Sequence, residues 1–304
     1  MKRSFLSEVQ IFMVFLLLGM IVGLSITSRV RGQDSINTSP KTLSGDAVDY
    51  YQKGISFLKS EKYNEAAEQF ALVVRLHPNY AEAHNALGTA YFNLDRHEAA
   101  MGAFREAIRL KPNFANAYYN LGNLFDRLGE ANSAIENLQW AIKHAPDYAL
   151  AYNLLGIVYL GANDYDNAIS AFQQVIRLQP NNARPYYHLG FAYNNLNQHE
   201  AALKTYRKAL VLNPSDPEVH NNFAVTLYYL KNFDQALAEY SRLIIEHPNH
   251  AAARFNLSVL YIAMKNKDAA FKELKVLRKL QPNLARELTN LIYADKILRV
   301  DFQK

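Results

Sequence analysis

Apolar side chains recur every three or four residues through most of this chain, with polar residues between them. The segment NAYYNLGNLFDRLGE, residues 116–130, is typical of the pattern. This spacing places the apolar residues on one face of a helix, so it predicts amphipathic helices and an all-α fold. One residue opposes that prediction, because Gly122 lies mid-helix, where glycine costs about 1 kcal/mol relative to alanine. A glycine at this position therefore needs a packing reason.

The helical pattern repeats with a period of 34 residues. One position of every period is proline, without an insertion, at Pro78, Pro112, Pro146, Pro180, Pro214, Pro248 and Pro282. Proline ends a helix because it lacks an N–H donor and clashes with the preceding turn. We therefore predict seven units, each of two helices joined by a short turn. The units are residues 47–80, 81–114, 115–148, 149–182, 183–216, 217–250 and 251–284.

Two positions of the unit hold only small residues, and two others are mainly aromatic. Position 8 is Gly in five units, Ala224 in the sixth and Ser258 in the seventh, while position 20 is always Ala. Positions 11 and 24 are mostly Tyr or Phe. We predict that the two helices of a unit meet at positions 8 and 20, with the rings filling the space beside the contact. Gly122 then allows closer packing, and the last two helix pairs are expected to lie slightly further apart.

These positions resemble the tetratricopeptide repeat (TPR), which has small residues at 8 and 20, aromatic residues at 4, 11 and 24, and proline at 32. The resemblance covers residues 47–284, which is 238 of the 304 residues. It implies a right-handed superhelical solenoid of helix-turn-helix repeats. Residues 285–304 are predicted to form a capping helix on the seventh repeat. Its facing side chains would be Leu288, Leu291, Ile292, Ile297 and Leu298.

In the TPR family, the first helices line a concave face through positions 2, 5, 6, 9, 12 and 13. The resemblance thus implies a partner-binding groove at Asn85, Tyr119, Asn120, Asn123, Arg127, Asn153, Arg184, Tyr187, Asn222 and Asn256. Asparagine both donates and accepts, so it can pair with the backbone of an extended peptide of any sequence. Asn120, Asn222 and Asn256 share position 6, as in the asparagine ladder of some peptide-binding members. We predict that a protein or peptide segment binds in this groove.

The alternative is that the asparagines are only solvated helix surface and that the aromatic residues shield one repeat from the next. The groove is favoured because asparagine is a mediocre helix former that gains little when it is merely exposed. A clamp for C-terminal carboxylates, found in a subclass of the family, is disfavoured because the groove has few cations: Lys59, Arg127 and Arg184.

The start of the chain has a different pattern. Residues 9–28 carry no charge and follow a basic flank at residues 1–8. About 20 such residues span a ~30 Å hydrocarbon core, so we predict a transmembrane helix. A cleaved signal peptide is the alternative, which the length of the run and the absence of alanine before Ala47 disfavour. The polar residues 29–46 predict a flexible linker.

The basic residues around this segment suggest its orientation. Lys2 and Arg3 slightly outweigh Arg29 and Arg31 under the positive-inside rule. We therefore predict a single-pass membrane protein with its repeats on the exported (periplasmic or extracytoplasmic) side.

Charge is concentrated at the C-terminal end. The net charge is −3 over residues 47–250 (17 basic against 20 acidic residues) and +6 over residues 251–304 (11 against 5). Nucleic-acid binders usually carry a basic stripe along their working surface, so we do not expect a nucleic-acid partner. The basic end instead supports a second hypothesis. In it, the protein is an assembly or transport accessory that docks other membrane components, proteins or anionic lipids, through this end.

Motifs of catalysis are absent from the sequence. It has no glycine-rich phosphate loop, HExxH motif or nucleophile elbow, and no cysteine for a disulfide, a thiolate metal site or a nucleophile. His247 and His250 are separated by Pro248 at a repeat junction, which disfavours a metal pair. We predict no enzyme activity, no catalytic residue, no metal and no cofactor. The sequence does not indicate an oligomeric state. The predicted function is a membrane-tethered protein–protein interaction scaffold.

Overall fold

In the residues that the structure describes, the helical pattern of the sequence forms fifteen α-helices. The computed structural model describes residue 43 and residues 45–300, with the backbone alone over residues 294–300, and these residues contain no strand. This confirms the all-α prediction. The helices are α1 Asp46–Lys59, α2 Tyr63–Leu76, α3 Ala81–Asn93, α4 His97–Leu110, α5 Ala115–Arg127, α6 Ala131–His144, α7 Ala149–Gly161, α8 Tyr165–Leu178, α9 Ala183–Asn195, α10 His199–Leu212, α11 Pro217–Tyr229, α12 Phe233–Glu246, α13 Ala251–Ala263, α14 Lys267–Leu280 and α15 Pro282–Val300.

The predicted N-terminal segments lie almost wholly outside the described residues. These are the flank at residues 1–8, the transmembrane helix at residues 9–28 and most of the linker at residues 29–46. Within the part of the chain that the structure describes, every helix is too short or too polar to cross a membrane. The membrane anchor therefore stays a prediction.

The turn between the two helices of each repeat contains one residue in the left-handed conformation. At position 15 of all seven repeats φ is positive, at Glu61, Asp95, Gly129, Asn163, Asn197, Lys231 and Lys265. Such a residue ends a helix by directing its N–H back to the last carbonyls, as Glu61 N–H does to Leu58 O at 3.1 Å. Only Gly129 adopts this conformation without a Cβ. Asp95, Asn163 and Asn197 tolerate this conformation, whereas Glu61, Lys231 and Lys265 each carry a local cost of about 1 kcal/mol.

The described residues divide between Pro180 and Asn181 into two compact units. In the first unit, α1–α8 form four repeats, and in the second, α9–α14 form three repeats followed by α15. Within each unit, a second helix packs against the first helix of its own repeat and against the next first helix. Consecutive first helices also contact one another, so each unit has a layer of first helices with the second helices behind it.

Glycine at position 8 lies directly against the side chain at position 24 of the same repeat. A Cβ on Gly88 would stand 2.6 Å from two ring carbons of Phe104. A Cβ on Gly122 would stand 2.9 Å from Cγ of Leu138 and 3.3 Å from the carbonyl oxygen of Ala134. Glycine therefore allows the close packing predicted from the sequence.

The end of the second unit departs from this packing. With Ala224 and Ser258 at position 8, the helix pairs of repeats 6 and 7 are in less extensive contact than those of the earlier repeats. The helix α15 packs against α13 and α14, where Leu288 and Ile292 are buried and Leu291 is half-buried. The side chains of residues 297 and 298 lie outside the described ones.

Candidate partner-binding surface

The predicted groove residues are divided between the first-helix layers of the two units, and half of them are inaccessible. Five are buried, namely Asn85, Tyr119, Asn120, Tyr187 and Asn256. Three are half-buried, namely Asn123, Asn153 and Asn222, and two are exposed, namely Arg127 and Arg184. The structure thus separates residues that link repeats from residues that a partner can reach.

Asn120 in the first unit is bonded to the preceding repeat. Its Nδ2 donates to Oδ1 of Asn85 at 2.9 Å and lies 3.4 Å from Oγ1 of Thr89. Asn85 and Asn120 are 2% and 4% exposed. A buried amide without a partner costs about 1–3 kcal/mol, so this bond favours the observed register of repeats 2 and 3.

The second unit uses the same device twice. Nδ2 of Asn222 donates to the hydroxyl oxygen of Tyr187 at 3.2 Å, and Nδ2 of Asn256 donates to Oδ1 of Asn221 at 3.0 Å. In both units the donor is position 6 and the acceptor is position 5 of the preceding repeat, 35 residues earlier. The position-6 asparagines that suggested a peptide ladder therefore connect consecutive first helices.

The two exposed cations of the predicted groove also have partners in their own units. Arg127 donates from Nη2 to Oδ1 of Asp95 at 2.6 Å, and its guanidinium carbon lies 5.0 Å from the ring centre of Phe92. The guanidinium of Arg184 lies 5.4 Å from the ring centre of Tyr187. These contacts fix the direction of both side chains while leaving them open to solvent.

Asn123 and Asn153 are the two predicted residues whose amides remain available. Both are half-buried in the first unit, and neither side chain is hydrogen-bonded to a described residue. Asp126, one turn after Asn123, is half-buried too, and burial raises the pKa of its carboxyl group. Half-buried apolar side chains belong to the same layer, namely Ile55, Phe92, Leu150 and Ile157. This layer thus presents amides next to apolar surface.

A partly buried ion pair between position 4 and position 23 was not predicted from the sequence. Nδ1 of His220 lies 3.0 Å from Oε2 of Glu239, and its Nε2 lies 2.9 Å from the carbonyl oxygen of Pro214. A carboxylate and a carbonyl both accept, so both ring nitrogens must carry hydrogen. The hydrogen bond to Glu239 raises the pKa of His220, against the opposing effect of burial.

Repeat 7 forms the same arrangement with arginine. Nε of Arg254 donates to the carbonyl oxygen of Pro248 at 2.7 Å, and Nη1 donates to Oε2 of Glu273 at 2.5 Å. Position 23 is glutamate in two repeats only, as Glu239 and Glu273. These are the same two repeats in which position 4 is His220 or Arg254. That co-occurrence, rather than either residue alone, was the available sequence signal.

The other histidines in this region have structural contacts. Nδ1 of His250 accepts a hydrogen bond from Ala253 N–H at 3.1 Å, and its Nε2 lies 3.3 Å from Oε1 of Glu218. Burial lowers the pKa of His188 to about 3, so its ring is neutral at pH 7. Among the described residues, His, Asp and Glu form no group that could hold a metal ion.

Comparison with protein families identifies the repeats. Two family models described as tetratricopeptide repeat match this chain, one at residues 51–113 and 119–183 and the other at residues 159–221 and 227–291. Together they cover most of the described helices. None of the curated protein sequences matches the chain.

Solved structures give the same fold. The chain is similar to YrrB, described as a TPR protein with an unusual peptide-binding site (28% identity, TM-score 0.52, 62% of this chain and 99% of that chain). It is also similar to MamA from Desulfovibrio magneticus RS-1 (26% identity, TM-score 0.52, 58% and 99%). A tetratricopeptide repeat protein from Parabacteroides merdae aligns over 82% of this chain and 99% of its own, with a TM-score of 0.59. At 15% identity, that last likeness shows the fold alone.

Proposed function

This chain belongs to the tetratricopeptide repeat family, and we propose that it is a membrane-tethered scaffold that binds an extended segment of a partner protein. TPR repeats imply a protein–protein interaction scaffold, and the fold is typically non-enzymatic. The right-handed superhelix of the family remains an expectation for this chain. What supports peptide binding is the available amides of Asn123 and Asn153 beside apolar surface, together with the peptide-binding site described for YrrB.

The chemistry of the first-helix layer suits an extended backbone. A peptide in this conformation has N–H and C=O groups that point sideways, and a side-chain amide satisfies either kind of group. The half-buried Phe92 and Ile157 offer contact to apolar side chains of the peptide. Each lost amide contact is expected to weaken binding by about 1 kcal/mol, so removing both amides should cost roughly tenfold or more in affinity.

Photocrosslinking tests this surface directly. A benzophenone amino acid is placed at position 123 or 153 of the full chain, and the protein is irradiated in a membrane extract. The matched controls carry it at Asn64 or Asn132, which are exposed asparagines on the second helices α2 and α6. We expect one discrete adduct from positions 123 and 153, identified by mass spectrometry, and none from the controls.

Substitution then separates binding from proximity. The variant Asn123→Ala, Asn153→Ala should bind the adduct partner at least tenfold more weakly, while Asn64→Ala, Asn132→Ala should bind it as the wild type does. Adducts from the control positions alone, or equal affinity of both variants, would refute binding on the first-helix layer.

The tether is proposed from the sequence. The uncharged residues 9–28 and the polar residues 29–46 support an anchor followed by a linker, with the repeats on the exported side. We expect the full chain to stay in the membrane fraction at alkaline pH and the repeats to be digested by protease added to the exported face. Release by alkaline wash would contradict the anchor, and digestion from the opposite face would reverse the orientation.

A further inference from the structure

The second helix of repeat 7 is unusually basic. The helix α14 carries five cations against two carboxylates, and none of the other second helices carries more than three cations. One of its two carboxylates, Glu273, is engaged with Arg254 of α13. The basic excess of the C-terminal region is therefore concentrated on one helix whose acidic groups do not neutralise it.

Four of these cations are available to a ligand. Lys272, Lys275, Arg278 and Lys279 are exposed and form no ion pair with a described residue. The elements packed against α14 are α13 and α15. On α15, the charged residues nearest in sequence to α14 are the exposed Arg286 and the half-buried Glu287. Their opposite charges sum to zero, so they do not neutralise the cations of α14. On α14 itself, Asp268 at the opposite end is the remaining exposed carboxylate.

One large apolar side chain is exposed among the cations. Phe271 is 41% exposed, whereas Leu280, nine residues later, lies on the opposite side of the helix. Phe271, Lys275 and Arg278 are spaced by four and three residues, which places them on one side of the helix. The core of repeat 7 buries Leu274 and Leu277, whereas part of the Phe271 ring stays open to solvent.

We propose that this surface binds the anionic headgroups of a lipid bilayer. The surface, which we name the α14 patch, consists of Phe271, Lys272, Lys275, Arg278 and Lys279. Cations beside an exposed aromatic side chain suit the membrane interface, where lysine pairs with headgroups and apolar groups enter the acyl boundary. A second contact with the bilayer would limit the positions that the tethered repeats can take.

The distribution of charge favours lipid over a nucleic acid. A nucleic-acid surface needs cations that follow the phosphates over a distance. The α14 patch ends with its helix, and the preceding second helix, α12, carries three carboxylates against one arginine. A patch confined to one helix is sufficient for a bilayer, because anionic lipids diffuse laterally and collect beneath the cations.

The inference rests on the membrane tether of the proposed function, because the tether keeps the repeats near a bilayer. A linker of 18 residues spans at most ~60 Å. Within that distance the contact of the α14 patch with the bilayer is effectively intramolecular, so a low intrinsic affinity for lipid is sufficient for binding. Each lysine or arginine near an anionic surface adds about fivefold in affinity, which corresponds to ~1 kcal/mol. Four cations together should then prefer anionic to neutral membranes by several hundredfold.

The experiment uses the full chain with a tryptophan reporter in the patch. Phe271→Trp is introduced together with Trp140→Phe, which removes the single native tryptophan. The protein is added to vesicles of phosphatidylcholine alone or of phosphatidylcholine mixed with phosphatidylglycerol. We expect a blue shift of the emission with the anionic vesicles only, and reversal of the shift in concentrated salt, since salt screens such contacts.

Two charge-reversal variants of equal net charge identify the surface. Lys272→Glu, Lys275→Glu, Lys279→Glu alters the α14 patch, and Lys204→Glu, Arg207→Glu, Lys208→Glu alters the exposed cations of α10 as the matched control. Circular dichroism establishes that both are folded. The first variant should lose the blue shift on anionic vesicles while staying attached to them through residues 9–28, and the control should retain the shift.

The outcomes also distinguish this inference from the proposed function. Attachment to neutral vesicles through residues 9–28, without a shift at position 271 on anionic vesicles, would overturn the α14 patch and leave the tether intact. Equal loss in both variants would overturn it in favour of general charge attraction. A shift with polyglutamate or single-stranded DNA, and none with vesicles, would overturn it in favour of an acidic protein or a nucleic acid.

Discussion

The close contact at position 8 can be tested by adding a single methyl group. In Gly88→Ala, the new Cβ would stand 2.6 Å from Cδ1 and from Cε1 of Phe104. Atoms of this kind pack at about 3.5–4.0 Å, so the ring or the helix must move by roughly 1 Å. Phe104 is 1% exposed, so its ring is enclosed by the core and cannot turn into solvent. We therefore expect the two helices of repeat 2 to be forced apart.

The magnitude follows from two opposing terms. Forcing extra volume into a packed core costs about 1–3 kcal/mol. Replacing glycine by alanine inside a helix returns about 1 kcal/mol. With two ring carbons inside the contact limit, we expect the cost to be at its upper end and the variant to be destabilised by about 2 kcal/mol. Phe104→Leu in the same chain should recover part of this loss, because repeat 7 combines Ser258, which has a Cβ, with Leu274 at the corresponding positions.

Gly102→Ala is the matched control. Gly102 also lies within a helix, α4, but a Cβ there meets no atom within 4 Å. This variant should be stabilised by up to ~1 kcal/mol. Hydrogen exchange of the full chain, read by mass spectrometry in peptides from α3 and α4, is the suitable assay because repeat proteins can open locally. Equal or greater protection in Gly88→Ala than in the wild type would refute the packing explanation.

Three further predictions concern single contacts. Lys265→Gly should stabilise the protein by about 0.5–1 kcal/mol and so raise the thermal midpoint, because Lys265 has a φ of 62° and glycine adopts this angle freely. An unchanged thermal midpoint would contradict this. Asn120→Ala should lower the free energy of unfolding by about 1–3 kcal/mol in denaturant titration, because it leaves the buried Asn85 unsatisfied, whereas a loss below 0.5 kcal/mol would assign the bond no importance. The difference in stability between wild type and His220→Gln should be largest below pH 6.5, the usual pKa, and should shrink as the pH rises through the raised pKa of the folded state; a difference that grows with pH would exclude the Glu239 contact.

The helix pairs of the described repeats could be predicted from the sequence, for a physical reason. Gly at position 8, Ala at position 20 and proline at position 32 act through local sterics and backbone geometry. All three recur with the period of 34 residues. The left-handed turn at position 15 was hidden, however, because Gly129, Asn163 and Asn197 suit such a turn but Glu61, Lys231 and Lys265 do not. Charged residues such as Lys231 and Lys265 adopt the same conformation because packing of the two helices imposes it.

The candidate surface was harder to predict from the sequence. Membership of a helix face can be read from periodicity, but the partner of a side chain on the neighbouring repeat cannot. Asn120 and Asn123 look equivalent in the sequence, yet Asn120 donates to Asn85 while Asn123 is not bonded to any described residue. The pair of His220 and Glu239 was missed for the same reason, because its geometry depends on how two helices cross.

The asparagine bonds between repeats have a consequence for biosynthesis. Each joins residues 35 positions apart in the chain, and each donor belongs to the later repeat. A newly made repeat therefore meets a partner that has already been synthesised, and these bonds do not require the C-terminus. Folds with such short sequence separations form quickly, and domains generally fold as they leave the ribosome. Within each unit, a repeat can thus close onto the preceding one while the rest of the chain is still being translated.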